Sequence, residues 1–237
     1  MKIHRSVRNG GGQASVRDLV FYPFAMTIGF LGAGSVAQAL GAGFLARGHA
    51  VRLSSRTPHR DDLQAWASAQ NGDAAVVSFR EAAEAGEILV LATAWEGTEN
   101  AIHLAGAEHL TGKPVLDATN PLDFSDGTPR LAVSEPSGEI VQRWMPGARV
   151  VKVFNTVGAG LMVDPTLPGG PPTMFVAGDD TEAVAAAEGI ARDMGWEPLM
   201  IGGLDRSGHL DHFAVVWILN AMRHGRSHAF KMLSGSS

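Results

Sequence analysis

From Thr27 onward the chain alternates short apolar runs, closed by glycine or polar turns, with stretches whose apolar residues recur at helical spacing. The first unit reads as a buried strand over Thr27–Leu31, a turn at Gly32, Ala33 and Gly34, and a helix carrying Val36, Leu40, Gly43 and Phe44 on one side. Arg47-Gly48-His49 closes that helix with glycine just past its end, and Ala50–Ser54 is the second strand. A helical segment follows over Asp61–Gln70, then a strand over Ala74–Ser78, with Ser78 and Glu81 forming a capping box for a small helix. Glu87–Ala92 (EILVLA) is an apolar run after its first residue, as expected of a parallel strand covered on both faces. The pattern then predicts a helix over Thr98–His109, a strand over Pro114–Ala118, a helix over Glu139–Met145 and a strand over Ala148–Phe154.

The Pro/Gly segment Asp164–Pro172 is the one plausible internal boundary. Beyond it lie a strand over Thr173–Ala177, a helix over Asp179–Met194 with Val184, Ala187, Ile190 and Met194 on one face, and a strand over Pro198–Ile201. That is one more βαβ unit, and it extends the same sheet. The last element, Leu210–Leu233, opens with the nearly all-apolar Phe213–Leu219, expected to be buried in the domain or against a second subunit. The expected fold is therefore α/β: a Rossmann-type, mainly parallel sheet extended by C-terminal strands, with a short C-terminal helical tail. Residues 26–237 read as a single domain, with a dinucleotide core over 26–160 and a C-terminal extension over 173–237. Residues 1–25 read as an N-terminal extension whose state, disordered or an added strand, the pattern leaves open.

Composition narrows the function. A formal charge of -5 leaves no basic footprint for nucleic acid. With no cysteine, thiolate chemistry, disulfides and cysteine-ligated metals are excluded, and the expected compartment is the cytoplasm. An uncharged run from Leu19 to Ala46 follows several basic residues, but its glycines, Pro23 and Gln38 fit a soluble fold better than a membrane span. His209 with His212 and His224 with His228 have metal-like spacings, yet no further ligand stands at helical spacing, so no metal is expected.

The chemistry gathers at strand ends. Gly32, Gly34 and Ala37 make GxGxxA: the first glycine allows the tight turn, the second lets a pyrophosphate approach bare backbone, and the small third residue lets helix and strand pack closely. The helix opening at Ser35 and Val36 then turns its N-terminus toward a phosphate. After the second strand, a carboxylate would select NAD, whereas arginine accommodates the 2'-phosphate of NADP. This chain reads Ser54-Ser55-Arg56-Thr57-Pro58-His59-Arg60, with no carboxylate before Asp61. NADP is the expected cofactor. The ends at Gly32, Thr93, Asn120 and Asn155 converge on one rim, where the ligand crevice of an open α/β sheet lies. No lysine or histidine is predicted at a strand end on that rim, although oxidising an alcohol or amine needs a poised base. Hydride passed between nicotinamide and a second flat ring needs positioning alone.

Several ordered segments carry a family resemblance: TIGFLGAGSVAQALGAGFLARGHAVRLSSR, LVLATAW, DATNP, VVKVFNT, FVAGDD and WILNAMRHG. Together they resemble the coenzyme F420-dependent NADP reductases and the related oxidoreductase domain of the STEAP metalloreductases, over nearly the whole chain from Met26. The resemblance implies a Rossmann-type sheet with C-terminal strands and a homodimer through the C-terminal helix. It implies that Ser55, Arg56 and Arg60 hold the 2'-phosphate, that Thr93, Ala94 and Trp95 flank the cofactor, and that Asn120 and Pro121 border the nicotinamide. The pocket for a second ring, deazaflavin or flavin, would lie near Asn155, Thr156 and Val157. There Asn155 stands where archaeal reductases tend to carry histidine, and the FNT triplet is closer to the metalloreductase type. The expected activity is NADPH-dependent hydride transfer to or from such an acceptor, with no catalytic side chain. A non-catalytic NADP sensor and an imine or hydroxy-acid reductase are the alternatives.

Overall fold

A computed structural model describes residues 25–235; the expected N-terminal extension lies almost wholly outside them. The elements run β1 (Thr27–Leu31), α1 (Ser35–Ala46), β2 (Ala50–Ser54), α2 (Asp61–Ser68), β3 (Ala74–Val77), α3 (Phe79–Ala85), β4 (Ile88–Leu91), α4 (Thr98–Ala105), α5 (Ala107–Leu110), β5 (Pro114–Asp117), β6 (Leu122–Asp123), β7 (Arg130–Leu131), α6 (Ser137–Trp144), β8 (Arg149–Lys152), β9 (Thr173–Gly178), α7 (Thr181–Asp193), β10 (Glu197–Gly202) and α8 (Ser207–His224). Eight strands form one sheet in the order β10-β9-β8-β5-β4-β1-β2-β3, and β6 pairs with β7 as a separate hairpin.

From β3 to β8 every pairing is parallel, while β9 runs antiparallel to β8 and parallel to β10. The strands up to β8 and the C-terminal pair β9 and β10 thus share one sheet but run in opposite senses. The sheet is covered on both faces, which is why its central strand β4 is apolar at every position. Ile28, Phe30, Val51, Val90 and Val151 meet Leu40 and Phe44 of α1 and Ala187 and Ile190 of α7 on one side. Leu31, Leu89, Leu91 and Val150 meet Phe79 of α3, Ile102 of α4 and Val141 of α6 on the other.

Three details depart from the sequence expectation. The helix over Thr98–His109 is two, because Gly106 adopts φ +86, outside helical space, between α4 and α5. The small β6–β7 hairpin has too little apolar pattern to have been foreseen. The final helix stops at His224, with Gly225 at φ +85, and the tail returns along β9: Thr173 N donates to the Phe230 carbonyl, and Phe230 packs against Phe175 and Phe213. The apolar face of α8 is only half used. Leu210, Ala214 and Trp217 are buried, but Phe213, Val216, Leu219 and Met222 are exposed within the chain. Among the described residues no helix is long and apolar enough to cross a membrane.

Candidate cofactor crevice

Strand order alone assembles the rim. With β2, β1, β4, β5 and β8 side by side and parallel, Ser55, Gly32, Thr93, Asn120 and Asn155 follow their carboxyl ends in that sequence. Gly32 has φ +129, and a Cβ there would sit 2.4 Å from the Ala92 carbonyl, so both backbone conformation and the neighbouring strand demand glycine. Its N–H donates to Ser54 Oγ at 3.2 Å, that hydroxyl donates to the Phe30 carbonyl at 2.6 Å, and Ser54 N donates to the Gly32 carbonyl. The buried Ser54 therefore fastens the glycine turn to the end of β2. Sequence reasoning passed over it, because its signal is only its place as the last residue of a strand.

Gly34 caps α1 in extended conformation with no side-chain cap, and no acidic residue lies in the first turn. The first N–H groups of that helix, at Ser35, Val36 and Ala37, have no intrahelical acceptor. A Cβ on Gly34 would meet nothing within 4 Å. An open space faces the positive end of a twelve-residue helix, which is what a pyrophosphate requires.

Beyond β2 the two arginines differ. Arg56 is exposed and makes no hydrogen bond or ion pair among the described residues. Arg60 instead engages Asp62 through both Nε and Nη2. That hydrogen bonding holds the Asp62 carboxyl below its usual range and the Arg60 guanidinium above its own. Ser55 Oγ accepts from Thr57 N at 3.1 Å and shapes the loop. The loop thus carries one free guanidinium where the sequence suggested two.

At the next strand end Thr93 Oγ1 and Thr98 Oγ1 lie 2.8 Å apart, and Thr98 donates to the Ala94 carbonyl. Ala94 is exposed, and the Trp95 ring packs 5.2 Å from that of Trp144. At β5 and β8, Asn120 Nδ2 donates to the Asn155 carbonyl at 2.8 Å, while Asn155 Nδ2 donates to Asn120 Oδ1 at 3.0 Å and to the Leu210 carbonyl of α8 at 3.2 Å. These two acceptors fix the amide's orientation and leave Asn155 Oδ1 buried without a partner. Phe154, just before it, is wholly buried at φ +62, a conformation an aromatic residue adopts only under constraint. Pro121 is buried, and its carbonyl accepts from Ala132 N.

Asn155, Thr156 and Val157 are all buried. The first turns of α8 lie against this segment, and a Cβ on Gly158 would strike the Trp217 ring at 2.5 Å. A cavity of about 560 Å³ lies between residues 129–136 and α8, lined by Arg130, Glu135, His209 and His212 among others. None of the predicted cofactor or acceptor residues lines it.

Lys152, placed within a strand from sequence, ends β8 with its side chain fully buried, paired with Asp117 at 3.0 Å. Asp117 is thus a structural carboxylate. Among the described residues, no group of three or more histidine or carboxylate side chains is arranged to hold a metal.

A rim of this kind places the chain among the dinucleotide-binding proteins of Rossmann type. The family model described as NADP oxidoreductase, coenzyme F420-dependent, matches residues 27–121. A solved structure from Arthrobacter sp. FB24, assigned as an F420-dependent NADP reductase, is 32% identical and superposes with a TM-score of 0.83, covering 89% of this chain and 100% of that one. The rat metalloreductase STEAP3 is 30% identical over 182 residues, 76% of this chain, which spans about a third (34%) of that relative's length. A reductive aminase from Aspergillus terreus, 19% identical with a TM-score of 0.59 over 85% of this chain and 62% of its own, shares the fold. The chain belongs to the coenzyme F420-dependent NADP oxidoreductase family.

Proposed function

We propose that this enzyme moves a hydride between NADP and a flat-ring acceptor, a deazaflavin of the coenzyme F420 type or a flavin. On this reading Gly32, Ala33, Gly34, Ser35 and Val36 receive the pyrophosphate, Ser55 and Arg56 the 2'-phosphate with Arg60 as a neighbouring charge, and Thr93, Ala94 and Trp95 the cofactor's flank. Asn120 and Pro121 border the nicotinamide, and Asn155, Thr156 and Val157 form the wall toward the acceptor. The orphaned Asn155 Oδ1 and the open space before Gly34 are the features into which such a cofactor fits.

The observation that carries the acceptor class is the sequestration of Lys152. All three of its N–H groups are engaged and it is 0% exposed, so the one lysine near the rim cannot serve a substrate as proton donor or acceptor. The other rim residues are hydroxyls and amides. Ring-to-ring hydride transfer asks nothing more of them than position. The test is NADPH oxidation followed with coenzyme F420, FMN and FAD in parallel. Acceptor-dependent oxidation supports the reading, whereas NADPH binding without turnover would make the chain a sensor, and turnover only with an imine or a keto acid would move it to another substrate class.

The exposed stripe Phe213, Val216, Leu219 and Met222 lies on one helix, and a two-fold axis would bury it against its own copy, so we place a homodimer contact there. Light scattering of the native chain and of Val216→Asp decides this: a native dimer that the variant dissociates supports it, and a native monomer refutes it.

A further inference from the structure

Lys152 sits inside a closed polar circuit. Its ammonium donates to Asp117 Oδ2 at 3.0 Å, to the Thr119 carbonyl at 2.7 Å and to Ser137 Oγ at 2.8 Å, with Asp211 Oδ1 at 3.5 Å. Asp117 Oδ1 accepts from Thr119 N and Oγ1. Asp211 of α8 accepts from Ser137 N and Oγ, and Ser207, one turn earlier, accepts from Gly138 N. Pro136, the N-cap of α6, offers no side-chain hydrogen bond, so α8 caps that helix from outside with Ser207 and Asp211. The circuit closes through the rim: Thr119 precedes Asn120, Asn120 and Asn155 exchange hydrogen bonds, and Asn155 donates to the Leu210 carbonyl beside Asp211.

A buried ion pair is a weak device for stability, because apolar residues of equal volume often do as well. What an ammonium with three fixed donors does better is define geometry. We propose that Lys152 is a positioning residue: by gripping Thr119 and, through Ser137 and Asp211, the start of α8, it holds the nicotinamide border at Asn120 and the wall at Asn155 in one register. This rests on the assignment of Asn120 to the nicotinamide given above.

The test uses the full chain carrying Lys152→Met together with Asp117→Asn. The pair removes one ammonium and one carboxylate, so the formal charge of the cluster is unchanged, and Asp211 keeps its two hydrogen bonds from Ser137. Three quantities are read: NADPH affinity by tryptophan quenching, the emission anisotropy of the bound dihydronicotinamide, and single-turnover hydride transfer to FMN. The expected result is affinity within about twofold, a clear fall in anisotropy as the ring gains freedom, and transfer slowed at least about tenfold. Unchanged anisotropy and transfer in a folded variant would overturn the proposal. If the double variant does not fold, Asp211→Asn is read in the same way: it leaves all three lysine contacts and loosens only the α8 limb, so a freer ring supports the proposal and an unmoved one overturns it. Anisotropy needs no acceptor. Failure of the native chain to reduce FMN would therefore count against the acceptor assignment without touching this one.

Discussion

Arg56→Ala separates the two cofactors. Because Arg56 has no protein partner, its loss removes no native hydrogen bond, and the thermal midpoint should stay within about 1 °C, as for an isolated surface change. A hydrogen bond to a charged phosphate contributes about 1.5–3 kcal/mol. Solvent at this exposed loop favours the lower end, so NADPH should bind about 10- to 30-fold more weakly while NADH changes less than about twofold. Arg60→Ala should cost NADPH far less, since Asp62 already holds that guanidinium by two hydrogen bonds. By the same logic Asp62→Ala, which frees Arg60 to turn toward the loop, should tighten NADPH and leave NADH alone. Tryptophan quenching titrations at fixed low salt measure all three variants against the native chain. The NADPH preference should also shrink as salt rises, because a charged contact at the surface is screened. Equal loss of both cofactors in Arg56→Ala would refute the assignment of the 2'-phosphate to this loop.

The glycine turn yields a paired prediction. Gly34→Val should fold with a near-native thermal midpoint, since its side chain meets open space, yet lose NADPH and NADH alike; Gly32→Ala, whose Cβ would strike the Ala92 carbonyl, should lower the midpoint by several degrees. Ser54→Ala, which strands the Gly32 N–H, should destabilise by about 1–3 kcal/mol in urea unfolding and weaken both cofactors; a change confined to NADPH would contradict its role as a fastener. Burial pushes His49 below its ordinary value of 6.5, and its Nδ1 accepts from Met26 N, so the folded chain favours the neutral ring. Its contribution is present above about pH 6.5, where both states are neutral, and is lost as pH falls from there through the lower folded value. Unfolding curves between pH 7.5 and 5 should show that decline, and His49→Gln should flatten it.

How much was legible in the sequence depended on the range of the interaction. β1, its glycine turn and α1 were readable because period, turn chemistry and capping are local, and the Ser78–Glu81 capping box appeared as spelled. Strand ends could be placed on one rim because parallel order follows from crossover helices. The reversed sense of β9 was not readable, since an apolar strand looks the same in either direction. The engagement of Arg60 by Asp62 escaped notice although only two residues separate them, because spacing does not say which way a guanidinium turns. Lys152 and Asp211 lie 59 residues apart in the numbering and meet only when α8 folds back over α6. The exposure of Val216 and Met222 shows the limit of periodicity: it marked an apolar helix without saying which part of it the domain would cover.

The change of strand sense leaves a seam. β8 and β9 are joined only through Val151 opposite Gly178 and Lys152 opposite Ala177, whereas β9 and β10 are paired along most of their length. Native-state hydrogen exchange should therefore show β9 and β10 parting from the nucleotide half as one leaf, with amides along the hinge exchanging before those of β1 or β4. Lys152 stands on that hinge, but its side chain reaches back to Asp117, Thr119 and Ser137 and never across to β9, so β8 stays anchored to its own side when the leaf opens.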